Sequence, residues 1–137
     1  MERLTFKDEI LFRARNEQGN WILGDLLHGP KQQVYIMEKD TWVKHWIPDV
    51  KTICRFTGFS LDGKRIWERD RIFSNTMQEC MGTICFGPYS SDFDSQKTGH
   101  LGFFVQWIST ASGWPDNVLF LRKDLGFWLE KDDIQIL

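Results

Sequence analysis

Short clusters of turn-forming residues recur about every ten residues along this chain, a spacing that favours β-sheets over helices. The segments between the clusters alternate apolar with polar residues or are rich in strand formers, as in Ile10–Arg15 and Ile53–Thr57. No window keeps apolar residues at i, i+3, i+4 and i+7, although Glu38–His45 and Asp116–Lys123 leave room for a short helix. The sequence therefore predicts a mostly β fold, all-β or β-rich α+β, of short antiparallel strands.

Two hairpins are predicted from local turn chemistry. In one, Asp62-Gly63 is a dipeptide that tolerates positive φ at the turn. In the other, residues 16–20 form the turn, and the strand before it places Leu11, Arg13 and Arg15 on one face. Strands are predicted at Ile10–Arg15, Trp21–Leu27, Val34–Met37, Thr41–Ile47, Ile53–Thr57, Lys64–Trp67, Met81–Phe86, Leu101–Ile108, Val118–Leu121 and Ile134–Leu137, and loops at 87–99 and 112–117.

The bulk composition limits the classes of protein open to the chain. Its 137 residues, 42% of them hydrophobic, suffice for one domain with a core, so residues 1–137 are assigned to a single domain with a loose lead-in at residues 1–9. A net charge of -2 lacks the electrostatic footprint of a dedicated duplex-DNA binder. No apolar run approaches the roughly 20 residues of a membrane span, the N-terminus lacks a secretory pattern, and the cysteines form no C-x-x-C pair. We therefore expect a cytoplasmic protein without membrane contacts.

The segment from Thr57 to Ile72 has the sequence T-G-F-S-L-D-G-K-R-I-W-E-R-D-R-I. It resembles the signature of the YopX family of phage and prophage proteins, in which a T-G-L stretch, N-G-K and an I-Y-E-G-D-I-V-like segment follow in that order. Residues 12–14, 48–52, 82–84 and 104–107 resemble flanking parts of the family. Arg69 replaces the glycine of E-G-D, and the family's V-I-G-N-I ending is not visible. The positions that match the signature are Thr57, Gly58, Asp62, Gly63, Lys64, Ile66, Trp67, Glu68 and Asp70.

The resemblance implies a β-rich fold with an N-terminal β subdomain to about residue 50 and a small SH3-like barrel from about residue 51. It also implies a phage or prophage origin in a bacterial host, and self-association, with no established activity. Physically, the signature indicates architecture, because Gly58 and Gly63 relieve steric restriction at turns while Ile66 and Trp67 supply core side chains. Arg69 weakens any claim that positive φ is obligatory at its position.

Residue combinations with known chemistry are missing from the sequence at the required spacing. The three histidines lie far apart, and the chain has no G-x-S-x-G, no phosphate-binding glycine loop and no complete calcium loop. Glu68 and Asp70 would share a strand face if extended, where an exposed charge cluster is favoured over acid–base catalysis. No catalytic, cofactor-binding or metal-binding residue is predicted, and an enzyme assembled from scattered residues such as Asp92, His100 and Glu68 stays open.

Trp42, Lys44 and Trp46 interleave aromatic rings with positive charge. This pattern suits base stacking on a small barrel, whereas alternation of Trp42 and Trp46 on one strand face also suits packing within a sheet. The leading hypothesis is a non-enzymatic accessory protein that acts through self-association or protein contacts. The alternative is a small-barrel module that binds single-stranded nucleic acid. The candidate contact surface comprises Trp42, Lys44, Trp46, Arg69 and Arg71.

Overall fold

The computed structural model describes residues 3–74, 80–89, 99–108, 124–130 and 134–137. These residues form eleven antiparallel strands, one short helix and two 3-10 turns, which confirms the mostly β prediction. The strands are β1 Leu4–Phe6, β2 Phe12–Arg15, β3 Trp21–His28, β4 Val34–Glu38, β5 Lys44–Trp46, β6 Cys54–Leu61, β7 Lys64–Trp67, β8 Arg71–Ser74, β9 Cys80–Tyr89, β10 His100–Ile108 and β11 Ile134–Ile136. The helix α1 is Leu125–Leu129, and the 3-10 turns are Pro30–Gln32 and Val50–Thr52.

The chain divides into two compact units, which we call the N-terminal unit (Phe6–Phe59) and the C-terminal unit (Met1–Thr5 with Ser60–Leu137). The boundary falls inside β6, whereas the sequence placed a division near residue 50. The expected loose lead-in at residues 1–9 contains strand β1. Backbone hydrogen bonds fix this N-terminal segment in place. The Lys7 amide donates to the Gly58 carbonyl at 2.8 Å, and the Asp62 amide donates to the Arg3 carbonyl at 2.7 Å.

The N-terminal unit is an antiparallel sheet with strand order β6-β2-β3-β4-β5. The predicted hairpin of β2 and β3 is confirmed, with Arg15 paired to Trp21 across a turn in which the Asn16 side chain accepts two backbone N–H groups. Strand β2 begins at Phe12 and not at Ile10. One face of the sheet packs into the core of this unit, which contains Ala14, Ile36, Ile47, Phe12, Ile22, Leu26 and Ile53.

The strand predicted at Thr41–Ile47 is wrong in its first half. Residues 39–43 form a turn that joins β4 to β5, closed by a bond from the Glu38 amide to the Val43 carbonyl at 2.8 Å. Asp40 and Trp42 adopt positive φ angles of 76° and 61° in this turn, which an extended strand does not allow. The helix considered at Glu38–His45 is also wrong, because its two ends lie in paired strands.

The C-terminal unit contains the second predicted hairpin turn and a four-stranded antiparallel sheet of order β10-β9-β8-β11. Asp62 and Gly63 have φ angles of 52° and 82°, as the dipeptide predicted, and β7 occupies the expected residues. The fully buried side chains of this unit come from both sheet and helix and include Ile66, Ile72, Ile84, Val105, Leu125, Leu129 and Ile134.

Three features of this unit differ from the expectations or lie beyond them. Helix α1 was not predicted, because five residues begun by an Asp124 cap on the Phe127 amide (3.2 Å) are too few for a periodic pattern. The polar loop expected at 87–99 does not begin at residue 87, since β9 extends to Tyr89, and residues 90–98 lie outside the described residues. The strand at Val118–Leu121 and the loop at 112–117 lie outside the described residues.

The pairing recorded for the described strands contains no closed barrel. Each sheet has open ends in its strand order, so the barrel implied by the resemblance is not seen among them. No helix in the part of the chain that the structure describes is long and apolar enough to cross a membrane.

Candidate contact surface

The signature residue Gly58 lies where only glycine fits. Its φ angle is +90°, and an added Cβ would lie 2.6 Å from Cε2 of Phe6 and 3.1 Å from the carbonyl oxygen of Lys7. The neighbouring signature residue Thr57 is buried. These contacts give the start of the signature a packing role in the N-terminal unit.

Arg69, which replaces the signature glycine, also adopts the left-handed region, with φ of 77°. The amide of Trp67 donates to the Asp70 carboxylate at 2.8 Å, the Asp70 amide donates back to the Trp67 carbonyl at 3.1 Å, and the Arg69 amide donates to the Ile84 carbonyl at 2.7 Å. Positive φ therefore occurs at this position although the residue is an arginine. Glu68 and Asp70 belong to this turn and do not share a strand face.

The open face of the N-terminal sheet gathers aromatic and basic side chains. Alternation along each strand and the register between strands place them on the side opposite Ala14 and Ile36. We call this set the aromatic–basic face; its members are Arg13, Arg15, Trp21, Tyr35, Lys44 and Trp46.

Cation–π contacts join the basic side chains of this face to its aromatic rings. The guanidinium carbons of Arg13 and Arg15 lie 4.3 and 4.0 Å from the ring centroid of Trp21, and Nζ of Lys44 lies 4.4 Å from that of Tyr35. Trp21 remains 37% exposed and Trp46 43% exposed. The face therefore presents large rings and positive charge to solvent together.

Of the predicted contact residues, Lys44 and Trp46 lie on the aromatic–basic face, but Trp42 does not. Trp42 belongs to the turn before β5, so the proposed alternation of Trp42 and Trp46 on one strand face is wrong. Arg69 and Arg71 are exposed in the C-terminal unit, whereas the three other residues lie in the N-terminal unit. The candidate surface is thus divided between units.

Trp42, 78% exposed, lines a cavity of about 490 Å³ in the N-terminal unit. We call it the Trp42 cavity. Its lining combines apolar side chains with three carboxylates and one ammonium group, supplied by Ile10, Leu11, Asp25, Met37, Glu38, Lys39, Asp40 and Trp42.

Hydrogen bonds from basic side chains lower the pKa of two carboxylates at the Trp42 cavity. Nζ of Lys7 and of Lys39 lie 3.1 and 3.3 Å from Oε2 of Glu9, and their hydrogen bonds lower the Glu9 pKa. Nε2 of His45 lies 3.0 Å from Oε2 of Glu38, and this bond, followed by one from Thr41, lowers the Glu38 pKa. Both carboxylates are therefore charged at neutral pH.

One residue considered for a scattered catalytic site, His100, lies beside Tyr89. The rings of Tyr89 and His100 stack with centroids 5.3 Å apart, and burial, then the Asp124 charge, raises the Tyr89 pKa. Asp92 lies outside the described residues. Within the described ranges, no group of three or more His, Cys, Asp or Glu is arranged to hold a metal ion.

Sequence reasoning missed Arg13, Arg15, Trp21 and Tyr35 as contact residues. Part of the information was in the sequence. The predicted strand already placed Arg13 and Arg15 on one face, and the predicted turn joined that strand to one that begins at Trp21. The missing step was the register across that turn, which sets Trp21 directly opposite Arg15.

No protein-family model, curated protein or solved structure has a significant match to this chain.

Proposed function

We propose that this protein is a non-enzymatic accessory module that acts through protein contacts, first of all with a second copy of itself. The aromatic–basic face carries the proposal. The resemblance to the YopX family supports the further parts of it: a phage or prophage origin, action in the cytoplasm of a bacterial host, and a small SH3-like barrel within the β-rich fold.

The composition of the face is that of an interface core. Trp, Tyr and Arg are the residue types that contribute most to binding energy between proteins, and two of the tryptophans remain more than a third exposed. Stacking of Arg13 and Arg15 on Trp21 restricts the two long side chains before any partner arrives. Less conformational entropy is then lost on binding.

Sedimentation velocity over a range of protein concentrations tests this function. We expect concentration-dependent assembly of the wild-type chain and a loss of about 2 kcal/mol, or roughly thirty-fold in Kd, for Trp46→Ala. Val50→Ala is the control, because Val50 is 54% exposed in a 3-10 turn and is not a member of the face. A monomeric wild-type chain at all concentrations, or equal effects of the two variants, would contradict self-association.

A second candidate, binding of single-stranded nucleic acid, is favoured by one observation. The face pairs three aromatic rings with three cationic side chains, the combination used to stack bases and to neutralise phosphates. Fluorescence anisotropy with labelled single-stranded oligonucleotides at low and moderate salt tests it. Salt-sensitive binding that is lost in Trp46→Ala and retained in Trp42→Ala would support this candidate, whereas no binding at low salt would exclude it.

A further inference from the structure

We propose that the Trp42 cavity binds the cationic side chain of a lysine or arginine that a partner protein presents. This inference deepens the proposed function and rests on it for the identity of the partner as a protein.

The charges of the lining favour a cation. Asp25, Glu38 and Asp40 supply three carboxylates and Lys39 one ammonium group, so the lining carries a net charge of -2. The ammonium of Lys39 is itself 3.3 Å from the carboxylate of Glu9. Asp25 and Met37 lie on the same side of the sheet as the aromatic–basic face, but the net negative charge of the lining would repel an anionic ligand.

The apolar part of the lining suits the rest of a basic side chain. Ile10 is 82% exposed, and with the partly buried Met37 it offers hydrocarbon surface to the methylene groups of a lysine or arginine. The exposed Trp42 ring offers a π face to the charged end, and tryptophan is the strongest aromatic partner for a cation. A volume of about 490 Å³ accommodates such a side chain.

The backbone at Trp42 agrees with a binding role. A φ of 61° is unfavourable for a bulky residue, and glycine would adopt it freely. The turn is held by bonds from the Trp42 amide to the Glu38 carbonyl at 3.1 Å and from the Lys39 amide to the Leu23 carbonyl at 3.2 Å. The fold therefore tolerates strain to keep this ring at the cavity, which is typical of ligand-binding positions.

NMR titration of the full-length protein tests the proposal without knowledge of the partner. The probes are Nα-acetyl-arginine methylamide and Nα-acetyl-lysine methylamide, with Nα-acetyl-glutamine methylamide as the neutral control. The readout is the indole N–H resonance of Trp42, assigned by its loss in Trp42→Phe. We expect a saturable shift with both cationic probes and none with the glutamine probe.

Variants locate the binding. Asp25→Asn is expected to weaken arginine binding several-fold through loss of one carboxylate, whereas Glu17→Gln removes an exposed charge in the β2–β3 turn and should change nothing. Trp42→Gly keeps the turn and is expected to weaken binding by roughly tenfold, measured on the backbone amides of the lining. An equal shift with the glutamine probe, or no saturable shift with any probe, would overturn the proposal.

Sedimentation of the same samples separates this proposal from the proposed function. A Trp42 shift without self-association would leave the cavity proposal standing and count against assembly through the aromatic–basic face. Self-association without a Trp42 shift would support the face and overturn the cavity proposal.

Discussion

Replacing Gly58 with alanine tests the packing role of the signature. At a φ of +90°, a residue with a side chain is strained by about 1–3 kcal/mol. The new Cβ would also lie 2.6 Å from the Phe6 ring and 3.1 Å from the Lys7 carbonyl, and overpacking of this kind costs about 1–3 kcal/mol more. The expected loss is about 2–6 kcal/mol, a large fraction of the roughly 5–15 kcal/mol that stabilises a domain.

A matched substitution separates strain from steric clash. Gly19 also has positive φ, +79°, but nothing lies within 4 Å of an added Cβ. Gly19→Ala should therefore lose only the strain, about 1–2 kcal/mol. Urea unfolding followed by far-UV circular dichroism gives both free energies of unfolding. If Gly58→Ala were no less stable than Gly19→Ala, the close approach of Phe6 and Lys7 to Gly58 would be refuted.

Two further predictions concern stability. Arg69→Gly should raise the free energy of unfolding by about 0.5–1 kcal/mol, because relief of the left-handed φ exceeds the entropy cost of glycine. Arg69→Ala, the control, should give no gain. Lower stability of the glycine variant in urea unfolding would contradict this prediction. The lowered pKa of Glu9 means that its contribution is present above about pH 4.5 and is lost as pH falls through the folded-state pKa. When the pH is lowered below 4.5, the thermal stability of Glu9→Gln should therefore fall less than that of the wild-type chain. An equal fall in both proteins would refute the role of Lys7 and Lys39.

Local chemistry made part of the fold predictable. Asp62-Gly63 specifies its own hairpin because both residues accept positive φ, and the polar turn after Arg15 does the same for β2 and β3. The start of β5 was not predictable, since Trp42 has strong strand propensity and the sequence gives no sign that it adopts positive φ. The positive φ of Arg69 was not predictable either, because the hydrogen bonds of the turn around it outweigh the preference of arginine for negative φ.

The candidate site was less predictable than the fold, because it depends on contacts across strands. Lys44 and Trp46 were selected from their types alone. Arg13 and Trp21 join them only through the register of the sheet, which places their rings and charges on the open side. The Trp42 cavity needs residues as distant in sequence as Ile10 and Asp40. No local sequence pattern predicts such a cavity.

Hydroxyl-radical footprinting of the wild-type chain at low and high protein concentration tests most directly whether the aromatic–basic face is the contact surface. Oxidation of Trp21 and Trp46 reports on the face, and Phe6, 61% exposed on β1, is the internal reference. We expect assembly to protect both tryptophans and to leave the oxidation of Phe6 unchanged. Assembly with undiminished oxidation of Trp21 and Trp46 would contradict it and move the contact to another surface.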